Sequence, residues 1–146
     1  MINLLYLPSA LFSQDIQAIS AIVNDEVISR YDVQQRVQLI VSTSGIKPTQ
    51  ENISRLEVQA LRSLVNEKIQ LQEAEKLDVP SSEQEVGLML ERIANGNQMS
   101  GDEILELINS QGVRPDTLLN QIRAELLWNK IVRGRYGSYV SVNEDE

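Results

Sequence analysis

The sequence predicts a mostly α-helical domain that begins with a small β-hairpin. Three observations favour this fold class. Apolar residues recur at helical spacing through most of the 146-residue chain. A Ser followed three residues later by an acid marks several helix starts. Aromatic residues make up only 4% of the composition, so the core is built from Leu, Ile, Val and Ala, which favours helices over a β-sandwich with aromatic pairs.

The predicted elements begin with a hairpin between residues 16 and 28. Two β-branched runs flank the turn residues 24–26, where Asn and Asp tolerate the left-handed backbone of tight turns. Ser29 then fits the N-cap of a first helix, because Asp32 follows it at the spacing of a capping box. Gly45 ends that helix.

The longest periodic segment is predicted to be a central helix from Thr49 to about Leu77. It has no interior Gly or Pro, and at 1.5 Å per residue the helix would be about 40 Å long. Its apolar residues cover two adjacent faces, which is typical of a helix with several neighbours. Pro80 lies just beyond its end.

Two short helices and a long last helix complete the five that we predict. Capping boxes begin the short helices at Ser82 and Ser100, and Pro115 suits the first turn of the last helix, which runs from about 116 to 133. The last helix has two apolar sides, and two apolar sides require two neighbours. One side comprises Leu118, Leu119, Ile122 and Leu126, and the other comprises Ala124, Leu127, Trp128 and Ile131.

The ends of the chain are predicted to lie outside the helical domain, which spans residues 15–142. Residues 1–14 form a leader-like apolar run, either an incomplete signal peptide without a preceding Lys or Arg, or a disordered segment. An alternating pattern predicts a short C-terminal strand over 139–142. Residues 143–146, an Asn followed by three acids, predict the start of a truncated linker or helix.

The composition excludes several kinds of chemistry. The chain has no His and no Cys, and therefore no Ser-His or Cys-His nucleophile and no disulfide. Its net charge of −8 argues against nucleic acid as a partner. No apolar run reaches the length of about 20 residues that a membrane helix needs, so we predict no membrane span. Its glycines form no nucleotide-binding loop. We predict no cofactor and no metal.

Binding of protein or peptide through apolar side chains is the chemistry left to such a chain. Methionine and aliphatic residues off the main stripe of a helix make adaptable binding surfaces, although such residues are also ordinary core. For Leu127 and Trp128, burial against the hairpin or the terminal strand is an equal alternative. The predicted peptide-binding residues are Leu88, Met89, Met99, Leu127, Trp128 and Ile131.

Four motifs in order resemble the SurA family of periplasmic chaperones and peptidyl-prolyl isomerases. They are residues 21–29 with the following Asp32, Val33 and Arg36, residues 64–74, residues 111–113 and residues 121–126, and the resemblance covers about residues 16–142. It implies a helical N-terminal chaperone domain of an exported, periplasmic protein. It also implies that the domain binds unfolded outer-membrane protein segments through an apolar surface.

Members of that family normally continue into parvulin isomerase domains, and no position of this chain matches the catalytic residues of those domains. We therefore expect the chain to be non-enzymatic, and independent of ATP because it has no nucleotide loop. Two alternatives stay open. One is a fragment of a parvulin-type isomerase without its catalytic domain, and the other is a helical adaptor or dimerisation module for one fixed partner. Self-association is expected if the second apolar side of the last helix stays uncovered.

Overall fold

A computed structural model describes residues 18–136 of the chain. An antiparallel hairpin and five helices, one of them long and central, confirm the predicted fold class. The predicted segment 1–14, the strand at 139–142 and the helix start at 143–146 lie outside the described residues. The elements are β1 (Ile19–Val23), β2 (Glu26–Ser29), α1 (Arg30–Ser44), α2 (Gln50–Lys76), α3 (Glu83–Asn95), α4 (Gly101–Ser110) and α5 (Pro115–Tyr136).

Local capping determines where the first four helices begin. Ser29, Ser82 and Ser100 each accept a hydrogen bond from the backbone N–H three residues later, and the acid at that position accepts one from the serine N–H. Thr49 caps α2 with its hydroxyl oxygen, which accepts from the N–H of Asn52. Each cap is worth about 1 kcal/mol, enough to fix the register of a helix start.

Two boundaries differ from the sequence prediction. Glu26 belongs to β2 because it pairs with Val23, so the turn contains only Asn24, with φ of 54°, and Asp25. The last helix continues past residue 133 to Tyr136. Gly134 does not end it, because a single glycine costs a helix only about 1 kcal/mol.

Helix α2 is the central element and packs on the hairpin, α1 and α5. Its N-terminal half, the hairpin and α1 enclose one core cluster, and α3, α4 and the first half of α5 enclose another. The first consists of Val23, Ile28, Val33, Val37, Leu56, Ala60 and Leu64. The second consists of Val86, Leu90, Ala94, Ile104 and Ile122.

A buried ion pair joins α1 to α2 and α5. Arg36 is only 2% exposed, and its Nη2 lies 2.5 Å from Oε2 of Glu67 on α2. Its Nη1 donates to Oγ of Ser63 at 2.7 Å, and Nη2 also donates to the carbonyl of Thr117 on α5 at 3.5 Å. The Nε of Arg36 is buried and has no hydrogen-bond partner among the described residues. The pair therefore fixes three helices at one point, and it depends on both charges being present.

Candidate functional site

The first candidate site is a cleft between α3 and α5, which we call the α3/α5 cleft. It has a volume of about 480 Å³, within the range of ligand-binding clefts, and it is open to solvent. Leu88, at 61% exposure, is the most exposed of its apolar residues, and Met89 and Leu126 are half-buried. The lining residues are Glu85, Leu88, Met89 and Arg92 from α3, and Leu126, Asn129, Lys130 and Arg133 from α5.

The polar rim of the α3/α5 cleft is positively charged. Lys130 donates to Oε1 of Glu85 at 2.6 Å and to the carbonyl of Pro80 at 2.7 Å. The hydrogen bond from Lys130, followed by that from the backbone N–H of Ser82, lowers the pKa of the Glu85 carboxyl below its usual value. This carboxyl is therefore ionised at neutral pH. The rim contains three cations, Arg92, Lys130 and Arg133, and Glu85 neutralises one of them, so the rim has a net charge of +2.

Two of these cations are available to a ligand. Arg92 and Arg133 are exposed, and within residues 18–136 neither forms an ion pair. The Nη1 of Arg92 lies 4.0 Å from the sulfur of Met89, which is a weak contact in the apolar floor of the cleft. The α3/α5 cleft thus combines an apolar floor with guanidinium groups at its edge that no carboxylate of residues 18–136 pairs.

A second apolar site lies beside the hairpin, and we call it the hairpin cleft. It has a volume of about 560 Å³. Ile19 at 60% and Val58 at 53% exposure form its most open part. Gln34 and Glu57 also line a further cleft of about 480 Å³ between α1 and α2, so the two clefts are adjacent. The hairpin cleft is lined by Ile19, Ser20, Arg30, Val33, Gln34, Glu57, Val58 and Leu61.

The sequence did not identify the hairpin cleft as a site. Val58 lies on one of the two adjacent apolar faces of the central helix, and an apolar residue beside the main stripe was the available signal. Ile19 lies 39 positions earlier in the chain, and periodicity gives no information about which hairpin residue meets which helix face.

The structure separates the predicted peptide-binding residues. Leu88 and Met89 lie together in the α3/α5 cleft, whereas Met99 is half-buried against the α3–α4–α5 core cluster. Trp128 is 39% exposed. It is two positions from both Leu126 and Lys130 along α5, which places it about 200° around the helix from each of them. Trp128 therefore does not share the cleft with Leu88.

Leu127 and Ile131 are core residues. Each is 6% exposed and packs with Ala74 of α2, which is 1% exposed. The second side of the last helix does have a neighbour, as predicted, and this neighbour is α2 and not the hairpin. Ala124, at 1% exposure, is buried as well. The expectation of an uncovered side, through which copies of the chain would associate, is therefore wrong for these three residues, because α2 covers them.

Neither a cluster of metal ligands nor a helix that could span a membrane is present among the described residues. Between residues 18 and 136, no three carboxylates come close enough together to hold a metal ion. In the same range, no helix combines the length and apolar character needed to cross a membrane. What the two clefts provide is non-covalent contact with apolar side chains.

The hairpin and the order of the helices define a small helical domain, and comparison with known proteins shows its family. The family model described as "SurA N-terminal domain" matches residues 16–132. The chain belongs to this family, which confirms the resemblance found in the four ordered motifs. Because the match is to the chaperone domain, the prediction that these residues are not an isomerase domain is also confirmed.

Several curated relatives carry the name Chaperone SurA. That of Pseudomonas fluorescens is 28% identical over 100% of this chain and 35% of its own length. That of Pseudomonas putida is 28% identical over 91% of this chain and 31% of its own length. That of Burkholderia pseudomallei is 30% identical over 86% of this chain and 28% of its own length. The chain thus spans about a third of the length of these relatives.

Proposed function

We propose that this domain is a periplasmic chaperone domain that binds unfolded segments of outer-membrane proteins through apolar clefts and without ATP. The observation that carries the proposal is the α3/α5 cleft, where Leu88 is 61% exposed beside Met89 in a domain of this family. Singly exposed leucines are common on protein surfaces. A leucine at the opening of a 480 Å³ cleft has a place for a partner side chain.

The energetics favour weak and reversible capture. Burying a Leu side chain completely is worth about 1.5–3 kcal/mol, so covering the exposed part of Leu88 contributes about 1–2 kcal/mol. Fixing a client side chain costs about 0.5–1.5 kcal/mol. Each contact therefore contributes little, and a client is held only while several apolar side chains are bound. Release needs no input of energy, which is consistent with a chain that has no nucleotide loop.

Client capture is tested by diluting a denatured β-barrel membrane protein into buffer with the 146-residue chain and following light scattering without nucleotide. We expect the chain to delay aggregation. Leu88→Ser should weaken this effect, whereas Leu107→Ser, which changes a 44% exposed leucine of α4 that lines neither cleft, should not. Unchanged aggregation at a several-fold molar excess of folded protein would reject the chaperone proposal.

Client range distinguishes this proposal from a helical adaptor. A chaperone domain binds many apolar sequences, whereas an adaptor for one fixed partner binds one. A peptide array made from several unrelated β-barrel proteins measures this directly. Binding to many members supports the chaperone proposal, and binding to a single sequence supports the adaptor.

The location in the periplasm is tested separately, because it depends on residues 1–14. Fusion of residues 1–30 to a reporter enzyme that is active only after export should give activity in the periplasmic fraction. Replacing Leu4 and Leu5 by Asn should abolish it, because an export signal needs its apolar run. Activity that is absent with the unaltered segment would reject the prediction that this segment directs export.

A further inference from the structure

The spacing of side chains along the α3/α5 cleft matches that of an extended peptide. Leu88 and Arg92 are four residues apart on α3, so their Cβ atoms are about 6 Å apart on one face of the helix. In an extended strand, side chains on one face are two residues apart, at about 6.6 Å. A client strand that lies along α3 therefore brings one side chain to Leu88 and the next side chain on the same face to Arg92.

The opposite wall of the α3/α5 cleft also combines an apolar residue with cations. Leu126 and Lys130 are also four residues apart, and Arg133 follows one turn later on α5. Lys130 is engaged by Glu85, which leaves Arg92 on one wall and Arg133 on the other for a ligand.

The charge of the cleft rim determines which client side chain fits at the second position, the one beside Arg92. The whole chain has a net charge of −8, yet the rim of this cleft has a net charge of +2. An acidic side chain placed there can pair with a guanidinium group that has no ion-pair partner within residues 18–136, whereas a basic one is repelled. The negative charge of the rest of the chain disfavours the approach of a polyanion such as a nucleic acid, so a single acid within an apolar segment fits better.

We propose that the α3/α5 cleft selects extended client segments in which a large apolar residue is followed two positions later by an acid. This proposal rests on the proposed function and specifies its substrate class. The apolar residue contacts Leu88 and Met89, and the carboxylate pairs with Arg92 or Arg133. Such segments alternate in polarity, as do strands with one apolar face. The acid thus selects among segments that the apolar floor alone would accept equally.

The test is fluorescence anisotropy of labelled eight-residue peptides with the 146-residue chain. Three peptides share an alternating apolar pattern and differ at one site, which holds Glu, Gln or Lys two positions after a Leu. The Glu peptide should bind about twofold to fivefold more tightly than the Gln peptide, the range expected for one exposed ion pair. The Lys peptide should bind most weakly. Raising the salt to about 1 M should abolish these differences, because the Debye length falls to about 3 Å.

Protein variants assign the effect to the α3/α5 cleft. The double variant Arg92→Gln, Arg133→Gln should bind the Glu and Gln peptides equally. Arg55→Gln is the matched control, because Arg55 is an exposed arginine of α2 outside this cleft, and it should leave the preference intact. Leu88→Ser should weaken binding of all three peptides. Urea unfolding of each variant confirms that it is folded.

The possible failures are distinguishable. Equal binding of the three peptides to the unaltered chain, with aggregation still delayed, overturns the acid preference and leaves the chaperone function. A preference for Glu that survives in the double variant places the acid elsewhere and also overturns the proposal. Binding of no peptide, together with unchanged aggregation of the denatured barrel protein, overturns the chaperone function and the selectivity with it.

Discussion

Removing the carboxylate of Glu67 should destabilise the domain more than any surface charge change. Arg36 is 2% exposed, and among the described residues Glu67 is the partner that neutralises it. In Glu67→Ala the guanidinium keeps Ser63 and the carbonyl of Thr117 as acceptors, but it loses its counter-charge while its Nε already lacks a partner. Breaking a buried pair in this way costs about 3–5 kcal/mol. For a domain with about 5–15 kcal/mol of total stability, this is a large fraction.

The measurement is urea unfolding at neutral pH, followed by far-UV circular dichroism. Glu83→Ala is the control, because it removes an exposed carboxylate that pairs with Arg123 and should cost less than about 1 kcal/mol. The double variant Arg36→Met, Glu67→Leu should recover most of the loss, since apolar residues of similar volume replace a buried pair at little cost. If Glu67→Ala is no more destabilising than Glu83→Ala, the structure is wrong about the burial of this pair.

Three further predictions concern the packing and the pH dependence of the domain. Ile131→Ala should cost about 2–5 kcal/mol in urea unfolding, because it opens a cavity against α2; a cost below about 0.5 kcal/mol, as at a surface position, would contradict the burial of Ile131. Trp128→Ala should cost less than the roughly 3–5 kcal/mol of a buried Trp, because Trp128 is 39% exposed. Gly112→Ala should cost about 1–2 kcal/mol, because its φ of +82° lies in the left-handed region; an unchanged urea midpoint would refute this. Hydrogen bonds from Lys68 to Glu26 and from Lys130 to Glu85 lower both carboxyl pKa values below the ordinary 4.5. The stabilisation from these two carboxylates is therefore present above pH 4.5 and is lost as the pH falls through the folded-state pKa values. The urea concentration at the unfolding midpoint should decrease as the pH is lowered below 4.5, and an unchanged concentration would refute this.

The sequence was informative about the helices because their ends are set by neighbouring residues. The serine at each capping box and the acid three positions later act within one turn, so they are visible without knowledge of the fold. The element that covers a helix face, in contrast to the end of a helix, is not determined by neighbouring residues. The sequence showed that the side of α5 containing Leu127 is apolar. Which element covers that side depends on the path of α2, and periodicity does not predict this path.

Part of the candidate site could be predicted from the sequence, because some of its signals are also local. Leu88 lies off the stripe of its own helix, which is a local signal, and the structure places it in a cleft. Arg36 carried no signal of burial, since arginines are almost never fully buried unless they are paired. Its partner Glu67 is 31 positions away, and only the packing of α1 on α2 brings the two together.

Helix α5 packs on α3 and α4 with one side and on α2 with the other, and this affects how the domain opens locally. Helix α3 packs on α4 and α5, whereas the hairpin, α1, α2 and α5 form the other body of contacts. Helix α4 is also held to α1 by the buried cluster of Leu39, Ile108 and Val113. Helix α3 can therefore detach while the remainder stays folded, and its amides should exchange with solvent faster than those of α2. A client side chain in the α3/α5 cleft contacts both parts. Its occupancy must raise the free energy of this opening, so amide exchange in α3 reports the binding of a client to α5.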